Sequence, residues 1–170
     1  AGWRTRRAKP VTLDVLRLML AVCDRGSVSG RRDAALLVLG YGMMGRRSEL
    51  SALRIEQLTL GDEWLTIFIP KSKTDQGAHG EDVEIPRELA PDIDAVQTVR
   101  DYLEALAGHG VTGGPLLRRI DRHGNVLDGL APGSVNDIVK AVATAARLND
   151  AERTTAHGLR AGGPTDAAER

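Results

Sequence analysis

The stretch ALLVLGYGMMGRRSELSALR, residues 35–54, decides how this chain folds. Its opening ALLVLGY is apolar on nearly every side of a helix, so a helix over about 31–42 must be a central, buried element. The turn GMMG then delivers Arg46, and Ser48 is placed to cap a third helix holding Leu50 and Leu53. An arginine just ahead of a helix start adds a planar, permanently charged fork to the positive end of the helix dipole. Such a fork matches two non-bridging oxygens of a phosphate. The plainer alternative for Arg46 is an exposed side chain pairing locally with Glu49.

Upstream, residues 1–12 hold Arg4, Arg6, Arg7 and Lys9, with Pro10 and no periodicity, and read as a basic linker or arm. Thr12 is the expected N-cap of a first helix over about 13–24, with Leu13, Leu16, Leu20 and Cys23 on one face. The RGSVSG stretch at 25–30 breaks it. Downstream, WLTIFI (64–69) and DVEIP (82–86) have the β-branched and aromatic character of strands. They form an antiparallel hairpin, with Lys71 and Lys73 in the long connection. A fourth helix follows over about 92–107, then LLRR and an HGN turn between 115 and 127. A fifth has Val135, Ile138, Val139 and Val142 as its apolar face and a weak Ser134/Asp137 capping box at its start. A last helix is expected from Thr155–His157, interrupted by Gly162, Gly163 and Pro164. The fold expected is mainly α with a small antiparallel sheet, an α+β domain over 13–170.

Three cationic contexts lie far apart in this order: Arg46 in GMMGRRSELSALR, Lys73 in IPKSKTDQ, and His157 with Arg160 in TAHGLRAG, about 110 residues after Arg46. His157 and Arg160, at i and i+3 on a helix, share a face, so an imidazole and a guanidinium can approach one phosphate. A loop lysine can reach in and donate a proton to a leaving alkoxide. The structural alternatives are a solvated loop lysine and a capped surface histidine.

In order and context these motifs resemble the tyrosine recombinases, the phage integrase family, from about Leu13 to Arg170. The resemblance implies a catalytic domain in which Arg46 and Arg160 hold the scissile phosphate, Lys73 is the general acid and His157 assists proton transfer. Glu49 would support Arg46 from behind. Lys71 competes with Lys73, which is preferred because the family's lysine typically precedes Thr or a small polar residue. Arg47 departs from the family, which has an apolar residue there. The resemblance further implies double-stranded DNA as partner, a homo-tetramer on DNA for the full-length protein, a monomeric fragment, and no metal or cofactor. The family's tyrosine follows HGLR by tens of residues. Tyr41 and Tyr102 both precede it and read as packing residues, so the expectation is a cleavage-inactive fragment lacking the nucleophile. A non-catalytic DNA-binding or regulatory relative that keeps the phosphate site is the alternative, and a plain helical interaction domain a third.

Composition sets the bounds. A chain of 170 residues suits one domain that buries roughly 70% of its unfolded surface. At 42% hydrophobic but only 3% aromatic, its core must be mostly aliphatic. One cysteine, Cys23, excludes an internal disulfide and points to a reducing, cytoplasmic setting; its apolar surroundings make it a packing residue. No long apolar run suggests a membrane span. His79, His109 and His123 stand beside glycines without metal-ligand spacing. Net charge is zero, yet residues 1–10 carry +4 and the remainder −4, so overall charge gives no support for DNA binding and any contact must be local. Arg4, Arg6, Arg7, Lys9 and Lys71 are the candidate DNA contacts.

Overall fold

The computed structural model describes residues 11–43, 47–70, 80–149, 151, 154, 158 and 159. Five α-helices within that span are α1 (Leu13–Ala21), α2 (Val28–Met43), α3 (Arg47–Ser51), α4 (Ala95–Gly108) and α5 (Pro132–Ala145). A three-stranded antiparallel sheet of β1 (Leu58–Leu60), β2 (Trp64–Ile69) and β3 (Glu81–Pro86) lies between α3 and α4. Two small hairpins complete the order: β4 (Glu88–Ala90) with β5 (Ile93–Asp94), and β6 (Arg118–Ile120) with β7 (Val126–Gly129). The expected α+β class is thereby observed.

Helix α2 is the axis. Every residue from Ala34 to Tyr41 is buried, and α1, α3, α4, α5, β3 and β6 all pack on it. It begins three residues earlier than expected. The Ser27 hydroxyl accepts from the Gly30 N–H at 3.0 Å and its carbonyl from the Arg31 N–H at 3.0 Å, which caps the helix before the glycine can break it. At Gly30 a Cβ would lie 1.8 Å from the Asp24 carbonyl oxygen, so only glycine fits against the turn.

The sheet presses one face on this axis. The register Trp64↔Pro86 to Ile69↔Glu81 puts Leu65, Ile67 and Ile85 inward and fully buried, while Trp64 and Phe68 face solvent. The β2–β3 hairpin falls where the β-branched and aromatic character of its strands predicts, with β3 beginning one residue earlier. Strand β1 was not foreseen; at three residues it is too short to leave a pattern. It is set by Gln57, whose side-chain amide donates to the Phe68 carbonyl at 2.7 Å and accepts from the Arg54 N–H at 2.7 Å.

Helix termini sort by chemistry. Thr12 caps α1 as expected, its hydroxyl accepting from Val15 N–H at 3.4 Å. Val11, assigned to the arm by sequence, is 1% exposed and donates its N–H to the Gly158 carbonyl at 3.1 Å. Helix α3 is shorter than expected: Arg47 opens it, Ser48 lies within it rather than capping it, and Leu53 falls beyond its end, although buried. Helix α4 starts at Ala95, not near 92, because Ile93–Asp94 pair with β4 and Asp94 caps the helix through Gln97 N–H at 2.8 Å. The Ser134/Asp137 capping box does not form. Helix α5 starts through Pro132 after Ala131, without a side-chain cap, so Ser134 is already inside the first turn. The expected last helix lies outside the described residues apart from the helical pair Gly158–Leu159. Among the described residues, no helix is long and apolar enough to cross a membrane.

Arg147 closes α5 with φ of 58° while Leu148 N–H bonds back to the Ala143 carbonyl at 3.1 Å. This is the left-handed exit for which glycine is the unstrained choice. Arg147→Gly is therefore expected to raise unfolding stability by about 0.5–1 kcal/mol in urea titrations. A loss of stability would contradict the left-handed conformation.

Candidate functional site

Arg46, Lys71, Lys73, His157 and Arg160, and the arm residues Arg4, Arg6, Arg7 and Lys9, all lie outside the described residues. Glu49 is described, and it is exposed on α3. What the structure defines is the scaffold that flanks these positions in sequence.

That scaffold converges at the C-terminal end of α2. Helix α3, which follows Arg46 directly, buries Leu50 completely and packs on α5 and α2. Leu159, between His157 and Arg160 in sequence, is also fully buried. A Cβ built on Gly40 would lie 2.9 Å from Leu159 Cδ1 and 3.4 Å from Leu50 Cδ1, so both leucines rest on one bare patch of α2. Two residues on, a Cβ at Gly42 would lie 2.8 Å from Ile85 Cγ2, which brings β3 to the same end of the helix. Strands β2 and β3 in turn flank the connection that holds Lys71 and Lys73. An open groove of about 340 Å³ runs between α3 and the end of β2, lined by Ser48, Glu49, Arg54, Gln57, Ile69 and Pro70. The sequence reading missed Gly40 and Leu159 as positioning elements. A small residue inside an otherwise bulky apolar run was the one signal for the first.

Behind α3, Arg54 lies 3.4 Å from Glu56, and Glu56 accepts the Gly114 N–H at 2.6 Å. That N–H, with the Arg54 guanidinium adding to it, holds the Glu56 carboxyl below the usual range. The pair ties the 113–116 segment, also joined by Leu116 N–H to the Leu53 carbonyl at 2.9 Å, to the end of α3.

A second groove, of about 390 Å³, lies between α1 and the start of α4. It is unsuited to a phosphodiester. Asp92, Asp94 and Asp101 outnumber Arg17 and Arg25 there, and Arg17 is engaged by Asp92 at 2.8 Å and Asp14 at 2.7 Å.

Both tyrosines are buried, as the sequence reading had them. Tyr41 is 6% exposed and Tyr102 fully enclosed. The Tyr102 hydroxyl donates to the Leu116 carbonyl at 2.7 Å and accepts the Arg118 N–H at 3.3 Å, and burial pushes its phenol up to about 12. It bolts α4 to the start of β6. Cys23 is half-buried, its thiol against the Met19 carbonyl at 3.5 Å, and burial pushes it up to about 11, which keeps it protonated. His109 contacts the Ala105 carbonyl through Nδ1 at 2.9 Å, and His123 accepts from Arg122 at 3.3 Å; His79 lies outside the described residues. No group of three or more His, Cys, Asp or Glu among the described residues could hold a metal ion.

With this geometry the chain has the fold of a tyrosine recombinase catalytic domain, which is the resemblance its motifs carry. The XerH site-specific recombinase bound to difH substrate superposes with a TM-score of 0.69 at 19% identity, over 96% of this chain and 44% of that one. XerA recombinase gives 0.67 at 14% identity, over 97% and 51%. The lambda integrase catalytic core gives 0.60 at 17% identity, over 96% of this chain and 84% of that one. In sequence, an integrase/recombinase XerD homolog of Selenomonas ruminantium is 35% identical over 169 residues, 99% of this chain. The chain spans 48% of that relative, about half its length. No protein-family model matches the chain.

The Tyr102 bolt is testable by itself. Tyr102→Phe keeps the ring but leaves a buried carbonyl and an N–H without this partner, and should lower unfolding stability by about 1–3 kcal/mol. An unchanged urea midpoint would show that the hydroxyl carries nothing.

Proposed function

We propose that this chain is the phosphate-handling part of a site-specific DNA recombinase, acting on duplex DNA by strand cleavage and rejoining. The similarity to an integrase/recombinase over 99% of the chain carries this reading, with the four cationic motif residues in family order. The packing of Leu50 and Leu159 on one patch of α2 supports it, since these residues flank the positions of Arg46, His157 and Arg160.

In this reading the Arg46 and Arg160 guanidiniums grip the non-bridging oxygens of one phosphate and neutralise the charge that grows as the phosphorus becomes five-coordinate. Glu49 steadies Arg46. A tyrosine oxygen attacks phosphorus, the bond to the 5′-oxygen breaks, and Lys73 supplies the proton that the departing oxygen takes. His157 assists proton transfer. The product is a 3′-phosphotyrosine and a free 5′-hydroxyl, and the covalent link keeps the phosphoester energy for rejoining. Arg4, Arg6, Arg7, Lys9 and Lys71 would add phosphate contacts, and the full-length protein would assemble as a tetramer on its DNA, in the cytoplasm. One structural neighbour is a lambda integrase tetramer bound to a Holliday junction. Tyr41 and Tyr102 are both enclosed and are assigned no part in attack.

Incubated with a nicked suicide duplex, the 170-residue chain should form no covalent adduct. In the full-length protein an adduct should form, and Arg46→Ala or Arg160→Ala should slow it about 10²–10³-fold. Lys73→Ala should be rescued by a substrate with a better 5′ leaving group. Equal damage on both substrates would move the acid role to Lys71. An adduct on the 170-residue chain would make Tyr41 or Tyr102 the nucleophile and overturn the assignment.

A further inference from the structure

We infer that Gly40 is a positioning residue: its missing side chain is the seat that fixes Leu159, and through Leu159 the HGLR segment, against α3. The inference rests on the phosphate-site reading above.

Glycine is a poor choice at this point on general grounds. It lies in the interior of a sixteen-residue helix, where it costs roughly 0.5–1 kcal/mol relative to alanine. Its neighbours Val38, Leu39 and Tyr41 are large and buried, so the position does not need a gap for lack of apolar partners. The space is taken by specific atoms. Leu159 Cδ1 stands 2.9 Å, Leu50 Cδ1 3.4 Å and Leu159 Cβ 3.6 Å from where the Gly40 Cβ would be. Real side chains do not keep the first of these distances, so with any residue but glycine the Leu159 δ-methyl must move from its place on the helix.

Leu159 has little else to yield. It is fully buried, and the residue before it is pinned from the other side by the Val11 N–H on the Gly158 carbonyl at 3.1 Å. The Gly158–Leu159 pair is thus held between Val11 and the C-terminal part of α2. His157 and Arg160 are covalent neighbours of Gly158 and Leu159, and Arg46 is the covalent neighbour of α3, whose Leu50 shares the seat. A methyl group at Gly40 would therefore press on Leu159 and Leu50, the buried residues that flank the proposed phosphate-site positions in sequence. In a packed interior, a displacement of a few tenths of an ångström is passed on rather than absorbed. Gly42 offers a matched control, since a Cβ there meets Ile85 of β3 at 2.8 Å and not Leu159.

The test uses the 170-residue chain with ¹³C-labelled histidine and inorganic sulfate as the probe. The His157 imidazole resonance, assigned by its loss in His157→Gln, is followed across pH with and without sulfate. Sulfate should raise the His157 pKa in the parent chain, because an anion shared with His157 favours the imidazolium. Gly40→Ala should weaken sulfate binding about tenfold or more, the loss of one charge-assisted contact. Gly42→Ala should leave the sulfate response intact. Leu159→Val removes the δ-methyl that the added Cβ would strike, and Gly40→Ala/Leu159→Val should recover the response. If Gly40→Ala does not fold, Leu159→Val alone, which empties the seat without adding bulk, should weaken the response. A parent chain blind to sulfate would bring down the phosphate-site reading and this inference together. A parent that responds, with Gly40→Ala responding equally or Gly42→Ala failing as badly, would overturn this inference alone.

Discussion

Burying a helix on every side is the constraint to which the rest of this molecule answers. From Ala34 to Tyr41, α2 offers no polar face, so neighbours must cover it all round. With almost no aromatic bulk available, coverage comes from many aliphatic contacts: Leu16 and Met19 of α1, Leu50 of α3, Ile85 of β3, Val96 and Val99 of α4, Val135 and Val139 of α5. Close packing of that kind leaves few voids and transmits displacement, which is why the end of α2 can serve as a common reference for elements far apart in sequence. The charged exception is Arg32. It is 9% exposed and meets Asp33 at 2.9 Å, with a further bond to the Arg118 carbonyl at 3.1 Å. Burial raises the Asp33 carboxyl while Arg32 holds it down, so the pair is satisfied rather than reactive.

A neutral chain can still be built to meet a polyanion if its cations are sorted in space. Many arginines among the described residues are engaged internally: Arg17 with Asp92, Arg32 with Asp33, Arg87 with Asp94, Arg119 with Asp128, and Arg118 with three backbone carbonyls. These cations hold structure together. The motif cations Arg46, Lys71, Lys73 and Arg160 lie outside the described residues.

The class of fold was legible because its largest signals are local. The all-apolar run of α2, the β-branched and aromatic character of WLTIFI, the Thr12 cap and the apolar face of α5 all survive contact with the structure. Misreadings have two sources, a local helix start of another kind and a pairing with a neighbouring segment. Ser27 caps α2 ahead of a glycine that looked like a breaker, Ile93–Asp94 is drawn into a strand pair that delays α4, and Pro132 starts α5 in place of the Ser134 box. Strand β1 depends on a glutamine side chain reaching across to β2. For the site, the motif residues could be named from sequence, but the seat that Gly40 provides could not. Nothing in the sequence says that a leucine 119 positions away occupies the place of its side chain.

The central claim is that one phosphate is gripped by residues from the segment before α3 and the HGLR segment together. A crystal structure of this chain with a short duplex tests it most directly. The expected result is a single phosphate within hydrogen-bonding distance of Arg46, His157 and Arg160. Arg46 and Arg160 on opposite faces, each on a different phosphate, would contradict it.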